Sequence, residues 1–136
     1  MGSVSILLIE DDPGDTRLVE EALSVCQFPV QLTLAADGER ALSLLMTEEI
    51  KPDLVILDLS IPKVSGLAVL EQYQPKGKSP IVVFSSTWGQ TDIQRALALG
   101  AREVVHKPMD MQAFMDAVCG MVRKWAVGYP PATTES

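Results

Sequence analysis

The sequence lacks any apolar run long enough to cross a bilayer, and it is poor in positive charge. Lys and Arg together number 11 against 18 Asp and Glu, so the 136-residue chain has a formal net charge of -7. A transmembrane helix needs about 20 consecutive apolar residues, and the first absence therefore excludes a helical membrane-spanning protein. The second absence argues against nonspecific nucleic-acid binding, because acidic surfaces repel a phosphate backbone.

Histidine and cysteine are scarce as well, with one His and two Cys in the chain. His106 ends a predicted strand beside a lysine, and we assign it no chemistry. Cys26 and Cys119 lie in apolar helical patterns, which favours buried free thiols in a reducing compartment over a disulfide. The start of the chain has neither the basic region nor the cleavage site of a signal peptide. We therefore expect a cytoplasmic protein.

What the sequence does contain is a regular alternation of strand and helix patterns. Hydrophobic residues make up 47% of the chain, enough for the core of one domain. Short β-rich segments are predicted at 4–9, 54–57, 81–84 and 103–106. Most are nearly continuous apolar runs, which is typical of parallel strands covered on both faces. Residues 30–35 alternate apolar and polar side chains instead, which indicates a half-exposed edge strand.

The segments between the strands carry apolar residues at helical spacing and end in recognisable caps. Asp12, which precedes Pro13, is predicted to cap the first helix, and Asp37 and Asp110 to cap two others. The run Thr91–Gln94 resembles a capping box, and Gly100 is a predicted helix stop. Five strands alternating with five helices predict an α/β fold, a doubly wound parallel sheet with helices on both faces.

Charged and hydroxyl residues follow the predicted strands where these end. Glu10 and Asp11 follow the first strand, Asp58 the third, Ser85 the fourth and Lys107 the fifth. Ligands of open parallel sheets bind outside the carboxyl ends of the strands, so these residues form a candidate site. Asp12 is interpreted instead as the helix cap, with Asp15 near the positive end of the same helix.

Clustered carboxylates without His or Cys suit a hard cation such as Mg²⁺, which shares its coordination with phosphate oxygens. A carboxylate beside such an ion can attack a phosphoryl group and form an aspartyl phosphate. A hydroxyl and an ammonium group would then bind the phosphoryl oxygens. The predicted chemistry is therefore Mg²⁺-assisted phosphorylation of an aspartate.

These motifs resemble those of bacterial response-regulator receiver domains over nearly the whole chain. The matching stretches are Glu10-Asp11-Asp12, "LVILDLSIPKVSG" around Asp58, "IVVFSS", and "HKP", with 22 residues separating Ser85 from Lys107. The resemblance implies a flavodoxin-like fold with strand order 2-1-3-4-5. It also implies a receiver domain over residues 4–127. The small, polar and proline-bearing residues 128–136 predict a flexible tail after it.

By this resemblance Asp58 is the phosphoacceptor, and it receives its phosphoryl group from a histidine kinase or phosphotransfer protein. The implied Mg²⁺ ligands are Asp11 directly, Glu10 through water, Asp58 itself and the backbone carbonyl of Ser60. Ser85, with Ser86 beside it, takes the switch-hydroxyl position, and Lys107 pairs with the phosphorylated aspartate.

The resemblance also implies a cis bond between Lys107 and Pro108, and one departure from the family is visible. Receiver domains usually carry an aromatic residue three positions before the lysine, and that position here is Val104. A β-branched side chain has few rotamers and no ring to rotate. We therefore expect the change on phosphorylation to concentrate in the loop at residues 85–90 and the start of the following helix, near Trp88.

The expected function is a signalling module, not an enzyme, that switches contacts with a downstream protein and binds neither DNA nor membrane. One alternative is a Mg²⁺-dependent phosphatase with an aspartyl nucleophile. Such enzymes of the haloacid-dehalogenase type carry a second acid two residues after the nucleophile, where this chain has Ser60. The other alternative is a receiver separated from a larger hybrid kinase.

Overall fold

The computed structural model describes residues 3–27, 29–86 and 89–126. Strands and helices alternate along it throughout. The strands are β1 (Val4–Ile9), β2 (Val30–Ala35), β3 (Leu54–Leu57), β4 (Ile81–Ser85) and β5 (Glu103–His106). The helices are α1 (Pro13–Val25), α2 (Gly38–Met46), α3 (Gly66–Tyr73), α4 (Gln90–Ala98) and α5 (Met111–Met121). A π-helical turn, Val122–Ala126, continues α5.

The five strands form one parallel sheet in the order β2-β1-β3-β4-β5, which confirms the predicted fold and strand order. Helices cover both faces of this sheet. In β1, Leu7 and Ile9 pack with residues of α2, α3 and α4, whereas Ile6 and Leu8 pack with α1 and α5. Successive strand residues point to opposite faces, and the continuous apolar run in β1 therefore supplies two separate cores.

The edge position predicted for β2 is confirmed, although its burial does not follow the expected alternation. Leu34 is 45% exposed while Thr33 is half-buried. β4 is one residue longer than predicted, because Ser85 pairs with His106 of β5. Ser85 is consequently part of the sheet and has a fixed position.

Most predicted helix ends are confirmed. The side chain of Asp12 accepts hydrogen bonds from the backbone N–H of Gly14 and Asp15, and Asp37 and Asp110 cap α2 and α5. Gly100 follows α4 with a φ of 110°, where a Cβ atom would lie 2.9 Å from Pro75. Glycine is favoured there for both reasons.

The capping box predicted at Thr91–Gln94 is wrong by two residues. α4 begins at Gln90 with Gly89 as its N-cap, and the Asp92 carboxylate accepts a hydrogen bond from the Gly89 N–H at 3.3 Å. Asp92 thus sits three residues after the cap and satisfies a free N–H from the first turn. Glycine lacks a capping side chain, which is why the sequence pattern pointed to Thr91 instead.

The prediction of two free thiols is wrong, because Cys26 and Cys119 form a disulfide with Cα atoms 5.6 Å apart. Cys26 is the C-cap of α1, and Cys119 lies in the last part of α5. These helices pack side by side on one face of the sheet, which brings the two residues within normal disulfide range. The cysteines therefore give no support for a reducing compartment.

This disulfide predicts a simple chemical result. The protein unfolded without reductant is expected to take up no thiol-alkylating reagent, and two equivalents after reduction, as counted by intact mass. Cys26→Ser leaves one thiol, Cys119, and should take up one equivalent without reductant. Uptake of two equivalents by the unreduced wild-type chain would contradict the bond.

Within the described part of the chain, no helix is long and apolar enough to cross a membrane. The predicted domain boundary at residue 127 and the predicted tail at 128–136 lie outside the described residues. The final described segment is attached to β5, since Trp125 Nε1 donates a hydrogen bond to Glu103 Oε1 at 2.9 Å.

Candidate functional site

The carboxyl ends of four strands bring the predicted site residues together. Glu10 directly follows β1, and Asp58 directly follows β3, where its backbone N–H bonds to the carbonyl of Ile9 at 3.0 Å. Ser85 ends β4, and the N–H of Lys107 bonds to its carbonyl at 3.0 Å. Backbone pairing thus sets the position of each functional side chain.

Asp58 lies at the centre of this group and is only 7% exposed. Its Oδ1 accepts hydrogen bonds from the Ser60 N–H at 2.9 Å and the Ser85 hydroxyl at 2.8 Å. Its Oδ2 accepts one from Lys107 Nζ at 2.8 Å. Burial alone would raise the pKa of Asp58, but these bonds outweigh it and hold the pKa below its ordinary value. Asp58 is therefore ionised, and hydrogen-bond donors are already in position around its carboxylate.

The backbone beneath Asp58 is held by the start of α3. A Cβ atom on Gly66 would lie 2.8 Å from the Asp58 carbonyl oxygen and 2.6 Å from the Leu59 Cα. Only glycine permits this approach. The Gly66 N–H also bonds to the Leu59 carbonyl at 3.2 Å. Any larger residue at position 66 would displace the chain that carries Asp58.

Lys107 is buried and binds three carboxylates at once. Its Nζ lies 2.6 Å from Glu10 Oε1 and 2.8 Å from both Asp15 Oδ2 and Asp58 Oδ2. Burial by itself would lower the pKa of Lys107, but the bonds to Asp15, Asp58 and Glu10 raise it above its ordinary value. Lys107 is accordingly a permanent cation.

Asp15 joins the candidate site, although sequence reasoning gave it no role there. We predicted only that it lies near the positive end of α1, and it does lie in the first turn of that helix. The available signal was its spacing of three residues from the cap Asp12, which places it at the helix end next to β1. Its contact with Lys107 joins residues 92 positions apart in the sequence.

The site contains more negative than positive charge. Glu10 is 6% exposed, and burial raises its pKa to about 7 even though the Lys107 ammonium opposes this shift. One lysine cannot neutralise the three carboxylates around it. Since buried charge is costly unless it is paired, a further cation would stabilise the group.

The remaining predicted metal ligands, Asp11 and Ser60, lie on the solvent-exposed side of this group. Asp11 is exposed beside Glu10, and Ser60 is exposed two residues after Asp58. Among the described residues, no three His, Cys, Asp or Glu side chains form a ready-made metal cage. Mg²⁺ does not require one, because it keeps several waters and takes only one or two carboxylates. The all-oxygen donor set of this site fits that ion.

Pro108 and Ser86 are two further residues that we predicted to belong to the site. The predicted cis bond at Lys107–Pro108 is wrong, since the described residues contain no cis peptide bond. Trans is the lower-energy isomer of an X–Pro bond, and Lys107 reaches Asp58 with it. Ser86 is exposed beyond the end of β4, and the hydroxyl that binds Asp58 is that of Ser85.

Val104 lies in the middle of β5, half-buried and packed against the core on the α2–α4 side of the sheet. Its register partner is Val83 of β4. The position therefore has the inward location expected of the aromatic residue that this chain lacks. Trp88, which we predicted to lie near the responding loop, is outside the described residues.

The charge arrangement predicts that Lys107→Met will destabilise the metal-free protein. Removing one partner of a buried ion pair typically costs 3–5 kcal/mol. We expect about 3 kcal/mol, because Glu10 can take up a proton and so limit the unpaired charge. Urea unfolding at neutral pH with a chelator present measures this loss. Lys124→Met removes an exposed ion pair to Glu103 and should cost below about 1 kcal/mol; equal losses in the two variants would contradict the expectation.

The sequence profile of the response regulator receiver domain matches residues 6–119, and the chain belongs to that family. Among curated relatives, a probable transcriptional regulator ycf27 of Porphyridium aerugineum is 32% identical over 124 residues, covering 91% of this chain and 50% of the relative. The Regulator of RpoS of Escherichia coli K12 is 37% identical over 105 residues, covering 76% and 30%. The chain thus spans half or less of the length of these relatives.

Solved structures agree in fold over their full length. The phosphorylated cyanobacterial phytochrome response regulator RcpA matches with a TM-score of 0.86 and 27% identity, covering 96% of this chain and 100% of that one. The Mn²⁺-bound response regulator Rcp1 matches with a TM-score of 0.83 and 26% identity, covering 93% and 97%. This chain is therefore a receiver of two-component signal transduction, a class whose members typically signal and do not catalyse metabolic reactions.

Proposed function

We propose that this chain is the phosphoacceptor module of a two-component or phosphorelay system, in which Asp58 takes a phosphoryl group from a histidine kinase or phosphotransfer protein. The observation that carries the proposal is the environment of Asp58. A buried, ionised carboxylate at the centre of the sheet edge is bound at once by a hydroxyl, a backbone N–H and an ammonium group. The similarity to phosphorylated RcpA supports it.

Each group around Asp58 has a task in this transfer. A carboxylate oxygen of Asp58 forms the bond to phosphorus as the bond from phosphorus to the donor nitrogen breaks, and the donor histidine takes up a proton. The Ser85 hydroxyl and the Lys107 ammonium, which now bind the two carboxylate oxygens, then donate to phosphoryl oxygens. Ser85 is in place before the reaction, whereas Lys107 must give up one of its three carboxylate partners to bind a phosphoryl oxygen.

The proposed cofactor is Mg²⁺, held by Asp11 and Asp58 directly, by Glu10 through water and by the Ser60 carbonyl. When bound, the ion neutralises charge that develops on the phosphoryl group. The excess of negative charge around Lys107 supports a divalent cation here. Mn²⁺ in the related Rcp1 supports the same kind of ligand set.

The phosphatase alternative has less support. Ser60 occupies the position two residues after Asp58 where those enzymes carry an acid, and its N–H binds the Asp58 carboxylate. A phosphorylated Asp58 would therefore have no second acid at that position to activate water. A receiver that forms part of a longer hybrid kinase would have the same fold and the same site.

The test is direct phosphorylation. The protein is incubated with acetyl phosphate and Mg²⁺, and its intact mass is recorded over time. We expect the addition of one phosphoryl group, lost on treatment with hydroxylamine and absent when a chelator replaces Mg²⁺. An unchanged mass with every small phosphoryl donor would overturn the proposal.

The proposal has consequences for partners and location. The phosphorylated form would change its contacts with a downstream protein, and neither DNA nor membrane is a proposed partner. A kinase of this kind donates its phosphoryl group in the cytoplasm, and we place the chain there. The disulfide of the structure opposes this location, because cytosolic thiols are normally reduced. In a cytoplasmic protein, Cys26 and Cys119 should be alkylated as two thiols in freshly lysed cells, and an intact disulfide there would argue against the location.

Val104 predicts where the phosphorylated form changes. Since its side chain has no ring to rotate, we expect amide exchange to slow mainly across residues 85–92 when beryllofluoride occupies the site. Residues 103–106 and α5 should change little. The measurement compares exchange with and without beryllofluoride in Mg²⁺. The opposite distribution would show that Val104 transmits the change as an aromatic residue does.

A further inference from the structure

We propose that Asp15 is a positioning residue of the phosphorylation site, which holds Lys107 from the α1 side and competes with an incoming phosphoryl group for its ammonium. The inference deepens the proposed function and rests on it. Sequence motifs assign no such role to Asp15. The contact itself, 2.8 Å between Asp15 Oδ2 and Lys107 Nζ, is what assigns it.

The first step of the argument is the number of donors on Lys107. An ammonium group carries three N–H bonds and accepts none. In this structure three carboxylates, those of Glu10, Asp15 and Asp58, each take one. The donor capacity of Lys107 is therefore fully used before a phosphoryl group arrives. A phosphoryl oxygen that binds Lys107 must replace one of the three.

The second step identifies the carboxylate that yields. The side chains of Glu10 and Asp58 are 4% and 9% exposed, whereas that of Asp15 is 29% exposed. A cavity of about 330 Å³ between α1 and the start of α5 is lined by Asp15 and Lys107 together. Water can therefore replace Lys107 as the partner of Asp15 at the lowest cost. Asp15 also lies in the first turn of α1, and the positive N-terminal end of that helix stabilises its carboxylate after release from Lys107.

The third step is the charge that remains. The Asp15 carboxylate repels an anionic donor that approaches Asp58, whether or not it is still bound to Lys107. Because Asp15 is partly solvated, the effect is screened, and we expect about a fivefold change in rate for removal of one charge. The effect should grow with the charge of the donor and shrink as salt is added. A purely structural role of Asp15 would produce neither dependence.

The experiment measures second-order rate constants of phosphorylation by intact mass at saturating Mg²⁺. Acetyl phosphate, a dianion at neutral pH, is compared with phosphoramidate, which carries less negative charge. Asp15→Asn is expected to react about fivefold faster than wild type with acetyl phosphate and less than about twofold faster with phosphoramidate. The difference should diminish at high ionic strength.

Three variants complete the design. Asp15→Ala also removes the charge and carries the same expectation, which keeps the test valid if either variant folds poorly. Asp15→Glu keeps the negative charge and should react like the wild type. Glu21→Gln removes an exposed charge from the same helix, away from Lys107, and should leave both rates unchanged. It controls for the overall charge of the protein.

The outcomes separate the two proposals. Equal or slower reaction of Asp15→Asn and Asp15→Ala with acetyl phosphate overturns the role of Asp15 while phosphorylation of the wild type stands. A rate increase that is the same for both donors supports competition for the Lys107 ammonium, which either phosphoryl group needs, and overturns the charge repulsion of the third step. If the wild type accepts no phosphoryl group from either donor, the proposed function itself fails.

Discussion

Asp58→Asn is expected to abolish phosphorylation completely. The variant keeps the size of the side chain and one oxygen, which can still accept the bonds from the Ser60 N–H and the Ser85 hydroxyl, whereas its NH2 group replaces the oxygen that accepts from Lys107. It removes the anionic oxygen that attacks phosphorus, because an amide is a far weaker nucleophile than a carboxylate. Intact mass after incubation with acetyl phosphate and Mg²⁺ should show no added phosphoryl group. The site is one residue, so no partial labelling is expected.

The matched control for this substitution is Asp116→Asn. Asp116 is an exposed carboxylate on α5 that accepts a hydrogen bond from Gln112 at 3.0 Å. Its variant should label at the wild-type rate. Full labelling of Asp58→Asn would move the phosphoacceptor to another residue and overturn the assignment of Asp58.

Asp11→Ala is expected to abolish both Mg²⁺ binding and phosphorylation. Asp11 is an exposed carboxylate next to Glu10. Lys107 forms its ion pairs with Glu10, Asp15 and Asp58 and not with Asp11. Unlike Glu10, Asp11 is therefore available to a metal ion in the ground state. Mg²⁺ takes only one or two protein carboxylates, so the loss of one removes a large part of the binding energy. Calorimetric titration with Mg²⁺ measures the first effect, and intact mass measures the second.

Asp12→Ala provides the contrast, because the neighbouring acid has a structural role. Its carboxylate caps α1 through the N–H groups of Gly14 and Asp15. The variant should lose about 1 kcal/mol in the free energy of unfolding. It should bind Mg²⁺ and accept a phosphoryl group as the wild type does. If Asp12→Ala lost metal binding while Asp11→Ala kept it, the division of the acids between cap and ligand would be reversed.

Much of the fold could be read from local patterns. The continuous apolar runs of β1, β3 and β4 indicate strands buried on two faces, and helical spacing between them indicates covering helices. A parallel sheet of this kind aligns the ends of its strands at one edge. For that reason Glu10, Asp58, Ser85 and Lys107 could be placed together before any coordinates were known, and the structure confirms their proximity.

The errors share a different cause. Asp92 caps α4 with Gly89, where the sequence pattern suggested Thr91, because a glycine cap leaves no side-chain signal. The Lys107–Pro108 bond was expected to be cis by resemblance alone, and no local pattern distinguishes the isomers of an X–Pro bond whose energies differ by about 0.5–1 kcal/mol. In both cases the deciding interaction is absent from the residue pattern.

The strands, the helices, most caps and the set of residues at the sheet edge could be predicted because they depend on periodicity and on neighbours close in the chain. These local patterns could not show that Asp15 shares Lys107 with Glu10 and Asp58, or that Cys26 meets Cys119. Both contacts depend on how α1 sits on the sheet beside α5, and they join residues more than 90 positions apart. Such contacts are set by the packing of whole helices, which no local spacing encodes.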